Sequence, residues 1–531
     1  MRVLLVEPNY RRGTPGSQHA LPDIDGGSAA VHSRLPDDET LWYPPLGLMK
    51  LARFHKNRGD QVHFVRGCDR SAIDGGTLFC LWDRVYITTL FTFHFDDIVK
   101  AIKFYRDAVG GTSGKIFVGG IMASLMPDAI FDRTGVYPLT GLLDYPNSIG
   151  LDGDEGIDSL APDYDILDHR LYAINDTYYA YTTRGCVNKC PWCGVPKIEP
   201  EFKSYIDIKP VIRELRSRLG DKARLKLMDN NVLASPELDR IVDDLLELGY
   251  GKGQCTETEP KKQRVIDFNQ GIDASFLGEK EAQSLFRLNI KPLRIAFDRP
   301  HQKKEYVKAV KLARRYGADE FSNYMLYNFK DTPRDLYERL VVNIELNEKW
   351  AAEDPKRISG KMYSFPMRYA PINEENGRKA NQKRDSVEEV PVESCDWLIS
   401  PRWTKRFMRN IEIMKGATHG AISPTASLAR RTIGESFEEF IANLYMPEEL
   451  LRNRNKHEKR VYDYEPKRKR GSGKVEAFRA FILSLLKRKD DRFLFFHNAV
   501  TPNATAAVRE AIGRCPDKEM QGWLTLYLKE Q

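Results

Sequence analysis

The chain has 531 residues, 41% hydrophobic and 30% charged, with a formal net charge of +7. That length exceeds one ordinary domain and predicts two or three. The charge excess is modest for the length and points to a local basic patch rather than a generally basic protein. No stretch approaches the roughly 18–20 apolar residues needed to cross a bilayer. The opening apolar run is too short for a signal peptide and is closed by Pro8. Eight cysteines in so long a chain argue against a disulfide scaffold and for a reducing, cytoplasmic setting.

Arg2 to Val6 reads as a first strand, ended by Pro8 and Asn9. A polar, Gly-containing stretch to about Glu39 follows as a loop. Tyr43-Pro44-Pro45-Leu46-Gly47 then leads into a helix with Leu48, Leu51 and Ala52 on one side, ending near Arg58-Gly59. Val62–Val65, Arg84–Thr88 and Lys115–Val118 read as strands, and Asp96–Ala108 as a helix aligned on Ile98, Ile102 and Tyr105. This alternation predicts a parallel sheet with helices on both faces, whose ligands bind at the carboxyl ends of strands. Gly119 and Gly120, directly after a strand, would let a bulky ligand approach the backbone.

Next comes Tyr181-Thr-Thr-Arg-Gly-Cys186-Val-Asn-Lys-Cys190-Pro-Trp192-Cys193, after a strand at Tyr178–Tyr181. Three thiolates spaced C-x3-C-x2-C can converge on one metal centre. Iron–sulfur clusters usually take four cysteines, so three would leave one iron open to a small chelating molecule. The plainer alternative is zinc, with a fourth ligand from elsewhere. Zinc ribbons and knuckles usually add a second close pair, and Cys68, Cys80, Cys255, Cys395 and Cys515 are isolated. Beyond the motif, strands are expected at Arg224–Met228, Val265–Phe268, Leu293–Phe297, Asn323–Tyr327 and Met362–Phe365. Helices alternate with them, one starting at Ser235-Pro236 with Ser235 as the cap. Six βα repeats suit a partial barrel better than a closed eightfold one.

The cysteine spacing, with an aromatic residue before the last cysteine, resembles the radical S-adenosylmethionine (radical SAM) superfamily. The resemblance covers about the first 370 residues and is specific at the cysteines. It implies a 4Fe–4S cluster held by Cys186, Cys190 and Cys193 and S-adenosylmethionine on the fourth iron. Cleavage of that molecule to a 5′-deoxyadenosyl radical would follow, fed by an electron donor such as a flavodoxin or ferredoxin. It places Trp192 near the adenine, Asp229 and Asn231 beside the amino group, and Asp298 at the ribose hydroxyls. Tyr327-Asn328-Phe329-Lys330-Asp331-Thr332-Pro333 resembles the family's Gly-x-Pro-Gly-Glu-Thr turn with its glycines replaced. The N-terminal portion resembles the cobalamin-binding-type domain of one radical SAM class, through Tyr-Pro-Pro-Leu-Gly and the Gly119-Gly120 turn. Cobalamin is therefore a candidate cofactor, although the D-x-H-x-x-G motif is missing. His19 and His94 read as surface or packing residues.

Residues 371–396 read as a linker or a loop over the barrel mouth. Beyond them Trp403, Phe407, Ile411 and Met414, then Phe437, Ile441 and Leu444, then Phe478, Ile482 and Leu485 repeat at helical spacing. Lys467–Arg470, beside a Gly-Ser stretch, is a candidate contact for nucleic acid or another anionic partner. The expected class is thus α/β in three parts: a Rossmann-like cobalamin-type domain (1–165), a radical SAM partial (β/α)6 barrel (166–375) and a mainly helical domain (376–531). The expected activity is radical chemistry on an unidentified substrate, with methyl transfer if cobalamin binds. No residue stands out as a catalytic acid, base or radical relay. Two alternatives are a methylthiotransferase acting on tRNA or protein, and a zinc-stabilised nucleic-acid-binding protein. The first normally carries three N-terminal cysteines, and only Cys68 and Cys80 precede the motif here.

Overall fold

The computed structural model describes residues 1–9, 43–73, 82–109, 113–353, 361–369, 372, 403–416, 420–464 and 473–529. The polar stretch to Glu39 (from residue 10), nearly all of the linker and the basic run Lys467–Arg470 lie outside the described residues, as do His19, Cys80 and Cys395. The described chain forms two compact units. The first holds the described residues up to Arg294 and the second those of 295–369 and from 403 onward.

The first unit opens with a four-stranded sheet of β1 (Arg2–Glu7), β2 (Gln61–Arg66), β3 (Arg84–Thr89) and β4 (Ile116–Gly120), in the order β2-β1-β3-β4. Every pairing is parallel. The near-continuous apolar run of β1 follows from burial on both faces. Leu4 and Val6 join Ile98, Ile102 and Tyr105 of α2 (Phe95–Ala108). Val3 and Leu5 meet Leu48, Leu51 and Phe54 of α1 (Leu46–Asn57) on the opposite face. Each such fully buried aliphatic side chain contributes about 2 kcal/mol. The doubly covered parallel sheet expected from the alternating pattern is present.

A second parallel sheet follows in the same unit: β5 (Thr177–Ala180), β6 (Arg224–Leu227) and β7 (Val265–Phe268), in the order β5-β6-β7. Tyr179 stands opposite Lys226, and Lys226 opposite Asp267, so the three share one face. The helix after β6 starts at Leu238 rather than at Pro236. Ser235 does not cap it; its hydroxyl accepts from the Glu237 N–H (3.0 Å) and donates to the Ser204 carbonyl. The local turn satisfies these groups before the helix begins.

Asp163 ties the two sheets of this unit together. Its side chain is fully buried, with Lys56 of α1 at 2.8 Å, Arg53 of α1 at 3.9 Å and Arg218 at 3.7 Å. Arg218 belongs to the helix Lys209–Leu219 that follows β5.

A third sheet is formed by β8 (Leu293–Ala296), whose first two residues still belong to the first unit, and by β9 (Glu320–Tyr327) and β10 (Lys361–Arg368) of the second, in the order β10-β9-β8. β9 and β10 pair in parallel over their full length. The six strands expected of a partial barrel are thus present, arranged as two three-stranded sheets. The helix Pro333–Glu353 lays buried asparagines against this sheet: Asn343 bonds Tyr306, Asn323 and Ser364, and Asn347 bonds the backbone of Met362. The C-terminal region is helical, with Phe407, Ile411, Phe440, Phe478, Ile482 and Phe496 in its core. Among the described residues no helix is long and apolar enough to cross a membrane.

Removing Asp163 would take the 2.8 Å partner from Lys56, while Arg53 keeps Glu214 and Arg218 keeps Asp165. Asp163→Ala is expected to lower stability by about 1–3 kcal/mol, the cost of losing hydrogen bonds and ion pairs to a charged acceptor. The measurement is the urea unfolding midpoint, with the slope unchanged if the folded state is otherwise intact.

Candidate functional site

The cysteine loop leaves the fully buried strand β5 and is held at its start by the end of β6. Oδ1 of Asp229 accepts from the Thr182 N–H (2.9 Å), the Thr182 hydroxyl (2.7 Å) and the Thr183 hydroxyl (2.7 Å), and also from the Thr183 N–H. Burial pushes the Asp229 carboxyl above the usual range, opposed by these bonds from Thr182 and Thr183. Its second oxygen, Oδ2, is buried and has no hydrogen-bond partner. The same is true of Oδ1 of Asn231, whose amide nitrogen lies 3.6 Å from the Cys186 sulfur. Two buried oxygen acceptors, one on each side chain, thus have no donor among the described residues.

Gly185 is required at its position. Its φ is +71°, and an added Cβ would come within 2.3 Å of the Glu201 carbonyl oxygen. Glu199 returns to the loop and accepts from Arg184 (2.8 Å), the Gly185 N–H (2.6 Å) and Asn230 (2.9 Å). On its other side Arg184 meets Asp158 (Nε to Oδ2, 3.0 Å), and Asp158 meets Lys50 of α1 (2.9 Å). Burial alone would raise the Asp158 carboxyl, but Lys50 and Arg184 hold it below its ordinary range. Burial lowers the Lys50 ammonium. The Arg184 guanidinium also stacks 3.5 Å over the Tyr181 ring.

Farther along, Asn188 donates to Asp273 after β7 (2.8 Å), and its backbone N–H points to the Cys186 sulfur (3.4 Å). The Cys193 N–H closes a turn onto the Cys190 carbonyl (3.0 Å). Cys186, Cys190 and Trp192 are half-buried and Cys193 is exposed. Among the described residues no group of three or more His, Cys, Asp or Glu side chains stands in position to hold a metal ion. The donor set nevertheless suits an iron–sulfur cluster: three cysteines on one eight-residue stretch, the first already approached by two N–H donors.

The remaining predicted residues fall elsewhere. Gly120 ends β4 at φ +115°, and its missing Cβ makes room for Thr89, whose carbonyl oxygen would lie 2.7 Å away. That glycine is demanded by the sheet's own backbone. Gly119 leaves more space, its nearest neighbour being the Leu139 carbonyl oxygen at 4.0 Å. In the second unit Asp298 follows β8, and its carboxylate accepts from the Leu326 N–H of β9 (2.9 Å). Asn328 adopts φ +67°, the left-handed conformation a glycine would supply in the turn it resembles, and Thr332 accepts from the Asp335 N–H at the start of the next helix. His94 is buried, 3.6 Å from Asp97. Cys68 is half-buried, its thiol pushed up by burial.

Several residues that shape this region carried no sequence signal, among them Lys50, Asp158 and Glu199. Glu7 did carry one, as an acidic residue closing an apolar strand. It sits at the carboxyl end of β1, receives the Tyr172 hydroxyl and lies 3.6 Å from Arg66.

No family model matches the chain. Over 201 residues it is 28% identical to a protein of Methanocaldococcus jannaschii provisionally assigned as a methylthiotransferase, a match covering 33% of this chain and 43% of that one. The chain therefore spans less than half the length of that relative. Among solved structures, the radical S-adenosylmethionine methyltransferase TsrM from Kitasatospora setae, determined with cobalamin and a 4Fe–4S cluster bound, is similar over 70% of this chain and 76% of its own, at 15% identity and a TM-score of 0.45. HydG, a maturase of the FeFe-hydrogenase, is similar over 66% and 81%, at 14% identity and a TM-score of 0.28.

Burial pushes the Glu7 carboxyl from its ordinary 4.5 up to about 7, partly offset by the Tyr172 bond and Arg66. Below pH 4.5 both folded and unfolded chains hold this proton. Between 4.5 and about 7 the unfolded chain releases it while the folded one keeps it, so the contribution of neutral Glu7 is lost as pH rises through that window. Urea unfolding at a series of pH values should show wild-type stability falling there relative to Glu7→Gln. Parallel curves for the two proteins would show that Glu7 is not the group responsible.

Proposed function

We propose that this chain is a radical SAM enzyme in which Cys186, Cys190 and Cys193 hold a 4Fe–4S cluster and Asp229 and Asn231 receive S-adenosylmethionine. The observation that carries the proposal is the pair of buried, partnerless oxygens on Asp229 and Asn231, the Asn231 amide nitrogen lying 3.6 Å from the Cys186 sulfur, in a chain with the C-x3-C-x2-C spacing. A protonated amino group needs such acceptors, and a buried acceptor left without a donor costs about 1–3 kcal/mol that a ligand can recover. When bound, the cluster and S-adenosylmethionine supply reductive cleavage to a 5′-deoxyadenosyl radical. The chain's own residues bind, orient and exclude water. Asp229 fixes the Thr182-Thr183 peptide with one oxygen and presents the other, and Arg184 and Glu199 hold the loop that carries Cys186. Trp192 completes the set proposed for the adenosine moiety on this unit.

Within this class, methyl transfer aided by cobalamin on the N-terminal sheet is the favoured outcome, with Gly119 leaving room at the carboxyl edge. TsrM, a methyltransferase with cobalamin bound, gives the precedent in name only. The likeness to a methylthiotransferase favours a second reading, sulfur insertion into a nucleic acid or protein.

The test is anaerobic reconstitution with iron and sulfide. The expected result is about four irons per chain, 5′-deoxyadenosine on reduction with dithionite, and loss of both in Cys186→Ala. Asn231→Leu should retain iron and bind S-adenosylmethionine more weakly. Stoichiometric zinc with no 5′-deoxyadenosine would overturn the proposal. A copurifying corrinoid would select methyl transfer over sulfur insertion.

A further inference from the structure

On the face of β5–β6–β7 that carries Tyr179, Lys226 and Asp267, two cations share one carboxylate. Asp267 receives Arg294 through both oxygens, from Nε at 2.6 Å and Nη2 at 2.8 Å. The Lys226 ammonium shares the same carboxylate at 3.7 Å, beyond hydrogen-bond range. The side chains of Arg294, Asp267 and Lys226 are only 0%, 10% and 13% exposed, so water screens these charges little.

Lys226 is also short of acceptors. An ammonium carries three N–H donors, and the hydrogen bond it makes within the protein goes to the Tyr43 hydroxyl at 3.2 Å. Tyr43 in turn donates toward the Asn269 side-chain carbonyl (3.4 Å), at the carboxyl end of β7. The rings of Tyr43 and Tyr179 lie 4.8 and 6.0 Å from the ammonium. Such cation–π contacts return less than desolvating the charge costs. A core position filled for packing alone would be better served by an apolar side chain.

We infer that Lys226, oriented by Tyr43 and Asn269, is a receptor for an oxyanion, a carboxylate or phosphate group of a molecule bound against β5–β6–β7. The incoming group takes the two remaining ammonium donors. Only the identity of that molecule rests on the radical SAM proposal: the oxyanion is either the carboxylate of S-adenosylmethionine or a group on the substrate.

The test uses the full chain without reconstitution, so its failure is separate from failure to assemble a cluster. Lysine acylation by an amine-reactive ester is followed residue by residue by mass spectrometry in chloride, inorganic phosphate, acetate or S-adenosylmethionine at matched ionic strength. An oxyanion is expected to slow acylation of Lys226 by about fivefold, the fraction left free at several times its dissociation constant. Lys280, 82% exposed, should be unaffected. Protection by S-adenosylmethionine at concentrations where acetate gives none assigns the site to that carboxylate. Protection by phosphate or acetate but not S-adenosylmethionine assigns it to the substrate. A phosphate-induced rise in melting temperature should persist in Lys226→Arg and vanish in Lys226→Met. Equal acylation of Lys226 in all four solutions, or equal protection of Lys280, would overturn the inference.

Discussion

A single carboxylate oxygen holds the cysteine loop in place. Oδ1 of Asp229 collects donors from both Thr182 and Thr183, and hydrogen bonds to a charged acceptor are worth about 1.5–3 kcal/mol each. Those donors occupy one oxygen, and the other is left buried without a donor among the described residues. The carboxylate can afford its burial only because four donors offset part of the desolvation.

The charges around this staple follow from it. Once the chain turns at Gly185, Arg184 is buried, and a buried guanidinium must be paired. Asp158 and Glu199 take it from two directions, and Asp158 is shared with Lys50 of the first helix. The N-terminal sheet is thereby linked to the cysteine loop by electrostatics, and through Asp163 to the helix after β5 by a second buried carboxylate. Lys226 differs from these groups. It shares a counter-ion already fully engaged and holds unused donors, which marks it as a group awaiting a partner rather than one serving the fold.

Much of the architecture was legible because its cues are local. The alternation of apolar runs and helical stripes located every strand of both parallel sheets and of the sheet β10-β9-β8 to within a few residues. Asp229 and Asn231 were legible as polar residues closing a strand. Ser235-Pro236 misled because a cap and a proline also make a turn, and the hydroxyl was taken by Glu237 before a helix could use it. Gly120 carried a correct signal with a different cause: the residue crowding its missing Cβ is Thr89, from a neighbouring strand.

The residues alone determined the periodicity of the elements, the thiolate donor set and the acidic and amide groups at strand ends, since each depends on neighbours a few positions away. Only tertiary structure decided that one oxygen of Asp229 is consumed by Thr182 and Thr183 while the other is not. It alone brought Lys50, Asp158 and Glu199 to Arg184, and set Lys226 beside an already paired Asp267. Hydrogen bonds and buried ion pairs depend on distances of a few ångströms between residues tens or hundreds of positions apart. No local pattern encodes those distances until the sheets have packed.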